Sequence, residues 1–308
     1  MNRSVTAGII RGFTHGLLTS TSLLANAPDA EAALRAWRLL EGQRAGGRLP
    51  SSEARATLGD PARLFELGVH LNLTQGCPLT RGYPPQLLDR AGRFCGIGRL
   101  FRHLHRRRPA FETALRSELS AQIEFLKDRE IQPTHLNGHQ YIELLPGLRG
   151  TVRGLLARYG IKTLRVPRER GLARTTLVNR LAVANWSLAH VKRFYAGRLL
   201  RDARQWDVRF PSVFFGTSHA GRVDLRLIQQ YVASGHGCRL IEIGLHPATY
   251  ATSSNAEPVA GWDDPLAHHR PQELQMLTST ALVELLRSRG LALGRLTEPA
   301  TIAPAKAA

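Results

Sequence analysis

Short apolar, β-branched segments alternate with longer amphipathic ones along this chain, and that alternation leaves few folds open. Strand-like runs fall at 17–24, 67–74, 161–166, 210–216 and 239–245, with a further one at 291–296. Between them the apolar spacing predicts helices over 5–15, 27–40, 111–127, 148–159, 175–204, 223–233 and 272–289. Helices that separate strands in this way call for crossover connections, so the expectation is one α/β domain over residues 1–308 with a largely parallel sheet. Gly, Ser and Pro gather at 42–60, read as an insertion. Residues 76–101 read as a long connection, and 299–308 as a flexible tail. The 308 residues, 43% of them hydrophobic, suffice for one sizeable core.

Three strand ends carry a histidine: His70, His139 and His246. In 67–74, Val69, Leu71 and Leu73 point one way while His70, Asn72 and Thr74 point the other. A buried polar group without a partner costs roughly 1–3 kcal/mol, so something polar is expected opposite His70. The densest chemistry is Pro133-Thr134-His135-Leu136-Asn137-Gly138-His139-Gln140-Tyr141, which reads as a strand opening into a loop. The run 239–245 ends in His246-Pro247, where the proline closes the strand just as the imidazole leaves it. The carboxyl ends of parallel strands are where α/β proteins place their working groups. Neutral imidazole binds divalent transition metals and moves protons near neutral pH. Taken alone, an HxxxH pair is more often one core and one surface histidine; three strand ends that share the feature favour a site.

Composition narrows the function classes. The formal charge of +18 and pI near 11.1 would suit a polyanion partner. The densest basic run, Arg102-His103-Leu104-His105-Arg106-Arg107-Arg108, carries no interleaved aromatics to stack bases and no nucleic-acid motif, so no specific nucleic acid is expected. Cys77, Cys95 and Cys238 are too few and too irregular for a disulfide framework or a cysteine zinc site, which suggests a reducing, cytoplasmic setting. No apolar run approaches membrane-span length, and the N-terminal segment, broken by Thr14, His15 and Thr19 to Ser22, lacks the apolar stretch of a signal peptide.

Taken together, Gly16-Leu17-Leu18-Thr19-Ser20-Thr21-Ser22-Leu23, Gly68-Val69-His70-Leu71-Asn72-Leu73-Thr74, the 134–139 stretch, His246-Pro247-Ala248 and Arg270 with Glu273-Leu274 resemble the YdjC-like carbohydrate deacetylases, the ChbG/HpnK family. The resemblance covers nearly the whole chain. It implies an irregular (β/α) barrel of the polysaccharide-deacetylase-like type and a metal-dependent hydrolase that removes acetyl groups from N-acetylated amino sugars. It implies a divalent ion, magnesium or zinc, held by His70 and His139. His246 then lies near the reaction centre as the acid, while His135 and Asn137 orient ligands or substrate. A homodimer is compatible with it. The family opens with a strand ending in Asp-Asp-Phe-Gly, which supplies a third ligand and the base, followed by a helix that residues 1–15 resemble. Here the first acidic residue is Asp29. The expectation is therefore a start lying further upstream, with weak metal binding and little turnover from the 308 residues as given.

Overall fold

The computed structural model describes residues 2–48, 56–59, 64–170, 183–250 and 261–297. Helix α1 (Arg3–Thr14) begins where the Asn2 side chain accepts the Val5 amide at 3.1 Å, which satisfies one of the otherwise open first-turn donors. It leads to β1 (Ser20–Leu23), α2 (Ala30–Ala45) and β2 (Glu66–Leu71). Next come α3 (Ile97–Lys127), β3 (Leu136–Gly138) and a 3-10 turn over His139–Leu144. Then follow α4 (Arg149–Tyr159), α5 (Val183–Ala203), β4 (Val213–Phe215) and α6 (Leu225–Ser234). The described chain closes with β5 (Ile241–Ile243), α7 (Arg270–Leu277) and α8 (Thr280–Ser288). As expected for an α/β chain, β1-β2-β3 form one parallel sheet and β4-β5 a second.

Several boundaries differ from expectation, each for a physical reason. The helix expected from 111 already begins at Ile97, because Leu100 and Leu104 continue the buried stripe of Phe111, Leu115, Leu119 and Ile123. Arg102, His105 and Arg106 lie on the solvent side of this helix, so the basic run is one half of an amphipathic pattern that continues through Pro109. The helix expected over 272–289 is two, since Ser279 leaves helical geometry and its side chain caps α8 through the Leu282 amide. No strand forms at 291–296. There the buried Glu66 carboxylate accepts the amides of Leu296 (2.7 Å) and Thr297 (3.1 Å), which holds the segment by a side chain instead of a ladder. Residues 42–45 belong to α2; 49–55, 60–63 and the 299–308 tail lie outside the described residues.

Residues 161–166 form no named strand, yet they connect the two sheets. Leu136 donates to Thr163 O at 3.0 Å on one side, and Leu164 donates to Arg209 O at 2.9 Å on the other. The barrel expected from the resemblance does not close among the described residues, because no pairing joins β5 to β1. The architecture is therefore an α/β assembly with parallel sheets.

Parallel register sets what faces what. His70 pairs with Asn137 and Leu71 with Gly138, so residues two apart line one face. Gly68 allows this pairing: a Cβ built there would lie 2.5 Å from the ring and the carbonyl oxygen of His135. On the apolar side, α3 and α4 contribute Leu119, Ile123, Val152 and Leu155 to one core with Leu136 and Val69. We expect Gly68→Ala to lower stability by about 1–3 kcal/mol through overpacking, measured as a shift in the urea midpoint at unchanged slope.

Candidate functional site

The His70 and His139 rings meet edge to face with centroids 5.4 Å apart, although 69 positions of sequence separate them from each other. β2 delivers His70 and the end of β3 delivers His139, so adjacency of two parallel strands converts sequence distance into contact. Both rings are half-buried. His70 Nδ1 lies 2.5 Å from the Asn137 amide, the polar partner that the strand pattern required. His139 Nε2 lies 3.1 Å from Gln75 Oε1. Gln75 follows a turn organised by Asn72, whose side-chain oxygen accepts the amides of Thr74 at 2.9 Å and Gln75 at 3.2 Å. The chain is also unusual just past His139: Gln140 (φ 52) and Tyr141 (φ 62) both sit in the left-handed region, a conformation concentrated at functional sites.

His246 follows β5 and is held through its backbone. Its amide donates to Glu273 Oε2 at 2.5 Å and its carbonyl accepts from Arg270 at 3.2 Å. Arg270 in turn pairs with Asp264 at 2.7 Å. The His246 ring nitrogen Nδ1 stands 3.9 Å from Glu273 Oε2, beyond hydrogen-bond reach, and has no other partner among the described residues. His135 is fully buried against Gly68, with Nδ1 on Thr134 Oγ1 at 2.9 Å and Nε2 without a partner among the described residues. Burial, then the charge of His139, holds His70 well below its ordinary range. Burial pushes His139 down to about 4, and His135 and His246 down to about 3, with Arg165 contributing at His135 and Arg270 at His246. All four are therefore neutral imidazoles at neutral pH.

The family described as YdjC-like protein matches residues 1–288. The chain belongs to that family. A carbohydrate deacetylase from Geobacillus stearothermophilus is 27% identical over 95% of this chain and 91% of its own length. A mouse carbohydrate deacetylase is 29% identical over 70% of this chain, and the match spans 62% of that relative. A chitooligosaccharide deacetylase from Yersinia enterocolitica is 24% identical over 93% of this chain and 90% of its own. Among solved structures, a candidate cellobiose-phosphate cleavage protein from Enterococcus faecalis V583 superposes with a TM-score of 0.63. It is 22% identical and covers 96% of this chain and 92% of that one, a likeness of fold.

Measured against a metal site, the YdjC-like chain supplies two neutral imidazoles side by side, a donor pair that suits a divalent ion. Among the described residues no group of three His, Cys, Asp or Glu side chains stands close enough to complete one. Sequence reasoning also passed over three residues. Arg165, half-buried beside Asn137, pairs with Glu242 at 2.5 Å and stacks on Phe214. Trp262 brings its ring within 6.5 Å of His139, and Glu143, just past His139, is buried with neither carboxyl oxygen partnered among the described residues. Arg165 was legible only as one of two charged positions, with Lys162, in the 161–166 run. Glu143 gave a weak signal as an acid inside an apolar turn, and Trp262 gave none.

Burial raises Glu143 to about 8. Its folded form keeps a proton that the unfolded chain releases near the ordinary carboxylate value, so stability from this group falls as pH rises to about 8. The neutral histidines act in the opposite sense, adding stability as pH rises, but only up to their ordinary value of about 6.5. Between pH 6.5 and 8 the histidines no longer contribute and the buried Glu273, raised to about 7, cancels in the comparison, so urea unfolding should show wild type losing roughly 2 kcal/mol relative to Glu143→Gln over that interval.

Proposed function

We propose that this chain is a carbohydrate N-deacetylase that hydrolyses the acetamide of N-acetylated amino sugars or their oligosaccharides, on an irregular (β/α) barrel. The observation that carries the reading is the convergence of His70 and His139 at 5.4 Å, at the carboxyl ends of adjacent parallel strands. The deacetylase names of the relatives from Geobacillus stearothermophilus and Yersinia enterocolitica support it. His70 and His139 would hold a divalent ion, zinc or magnesium, which when bound would acidify a water and polarise the acyl oxygen.

The remaining work falls to the chain's own side chains. His246 holds a neutral ring whose Nδ1 has no partner among the described residues and is positioned through its backbone by Glu273 and Arg270; it is assigned to take up the proton that the attacking water gives up and to pass it to the departing amine. Trp262 offers an aromatic surface beside His139 for the apolar face of a sugar ring. Asn137 sets the His70 ring, and His135 packs beneath against Gly68 of the strand that carries it.

A second reading has its own support. With no third ligating group among the described residues, the chain would be an impaired member of the family that keeps a sugar-binding cleft. Calorimetric zinc titration should find a weak site in the 308-residue chain that is lost in His70→Gln and in His139→Gln; affinity unchanged by both substitutions would overturn the ligand assignment. With zinc or magnesium and N-acetylglucosamine oligosaccharides, we expect slow acetate release that a chelator abolishes. Saturable sugar binding without acetate would instead establish the second reading.

A further inference from the structure

The side chain that fixes His70 is itself fixed from the other side. The Asn137 amide lies between His70, Ser22 and Arg165, and only one of its two orientations satisfies both ends. In that orientation the Asn137 oxygen accepts from Arg165 Nη1 at 2.8 Å and Nη2 at 3.3 Å. Its nitrogen donates to Ser22 Oγ at 3.0 Å and to His70 Nδ1 at 2.5 Å. The reverse orientation would set an NH2 against a guanidinium, donors facing donors. Arg165 cannot yield, because its Nε is committed to the buried Glu242 carboxylate at 2.5 Å and its plane lies over Phe214.

We infer that Arg165, acting through the Asn137 amide, holds His70 in the tautomer whose proton sits on Nε2. A nitrogen that accepts a hydrogen bond carries no proton, so a neutral imidazole bonded this way at Nδ1 must be protonated at Nε2. Nε2 is the nitrogen left over for a cation. His139 is held differently. Gln75 spends its amide NH2 on the Asp263 carbonyl at 2.9 Å, so its oxygen faces His139 and accepts the Nε2 proton, which leaves His139 Nδ1 bare. One imidazole of the pair is ready to ligate and the other is not. The consequence for metal binding rests on the proposed ligand role of the two histidines; the tautomer itself does not.

A carboxylate at position 137 would reverse the arrangement. It would accept from Arg165 and from His70 Nδ1–H together, freeing Nε2, the carboxylate–histidine support that metal-binding imidazoles commonly have. Asn137 is thus a positioning residue that tunes the pair against tight binding.

The test uses the full 308-residue chain, metal-free, with histidine labelled by nitrogen-15. Long-range proton–nitrogen correlation spectra report the tautomer of each ring, and the His70 signals are those missing from His70→Gln. We expect Nε2–H in wild type and Nδ1–H in Asn137→Asp, with zinc bound about 10-fold or more tighter by the variant. An Nδ1–H pattern in wild type overturns the inference, whether or not the variant folds, and a zinc affinity that Asn137→Asp leaves unchanged overturns its consequence for metal binding. Nε2–H on His70 in wild type, together with no acetate release from wild type under zinc or magnesium, keeps this inference and defeats the deacetylase reading, so the two can fail separately.

Discussion

The pairing of β2 with β3 is the constraint on which the candidate site depends. Two parallel strands in fixed register bring His70 beside Asn137 and let His139 leave the neighbouring strand end within reach. The pairing requires that Gly68 have no side chain, since the His135 ring and carbonyl occupy that volume. Backbone hydrogen bonds set the spacing of the strands, and a missing methyl lets the polar layer lie against them. The site geometry is in this sense a property of the sheet before it is a property of any histidine.

The inward face carries a density of polar groups that would be destabilising if they were unmatched. Most are matched, and by a repeated device: buried carboxylates accept backbone amides from segments far away in sequence. Glu118 on α3 takes the amides of Leu79 at 3.1 Å and Thr80 at 2.9 Å, and Glu169 takes those of Gly216 at 2.9 Å and Thr217 at 2.7 Å. Glu273 takes Val223 at 2.9 Å as well as His246. Charge-assisted bonds of this kind are stronger than neutral ones and fix loops that have no ladder of their own. The formal charge of +18 therefore understates the role of the acids, several of which lie inside the fold while many of the arginines face water.

Which features could be read beforehand follows from which of them leave a periodic trace. His70 was visible because an alternating strand exposed its polar face, and the need for a partner opposite it was met by Asn137. His139 and His246 were visible as imidazoles where apolar runs end. The alternation of strands and helices, and hence the α/β class with parallel sheets, was legible in the same way. The opening turns of α3 were hidden because a run of arginines and Pro109 mask the period that Leu100 and Leu104 continue. Arg165 was hidden because one arginine in an arginine-rich chain carries no distinguishing pattern. Only the neighbouring strand shows that it faces an amide, and only the sheet beyond shows that it faces an acid. Pairings between residues more than sixty positions apart have no local signature.

Glu66, at the foot of β2, binds the amides of Leu296 and Thr297 and receives Arg295 at 3.3 Å, while remaining wholly buried itself. This carboxylate works as a clasp between the beginning of a central strand and the far end of the described chain. Trimming the protein ahead of residue 295 would strip a buried anion of its donors and unsettle the very strand that presents His70. For anyone shortening or fusing the protein, the trailing segment belongs to the sheet's foundation, and an appendage belongs beyond it.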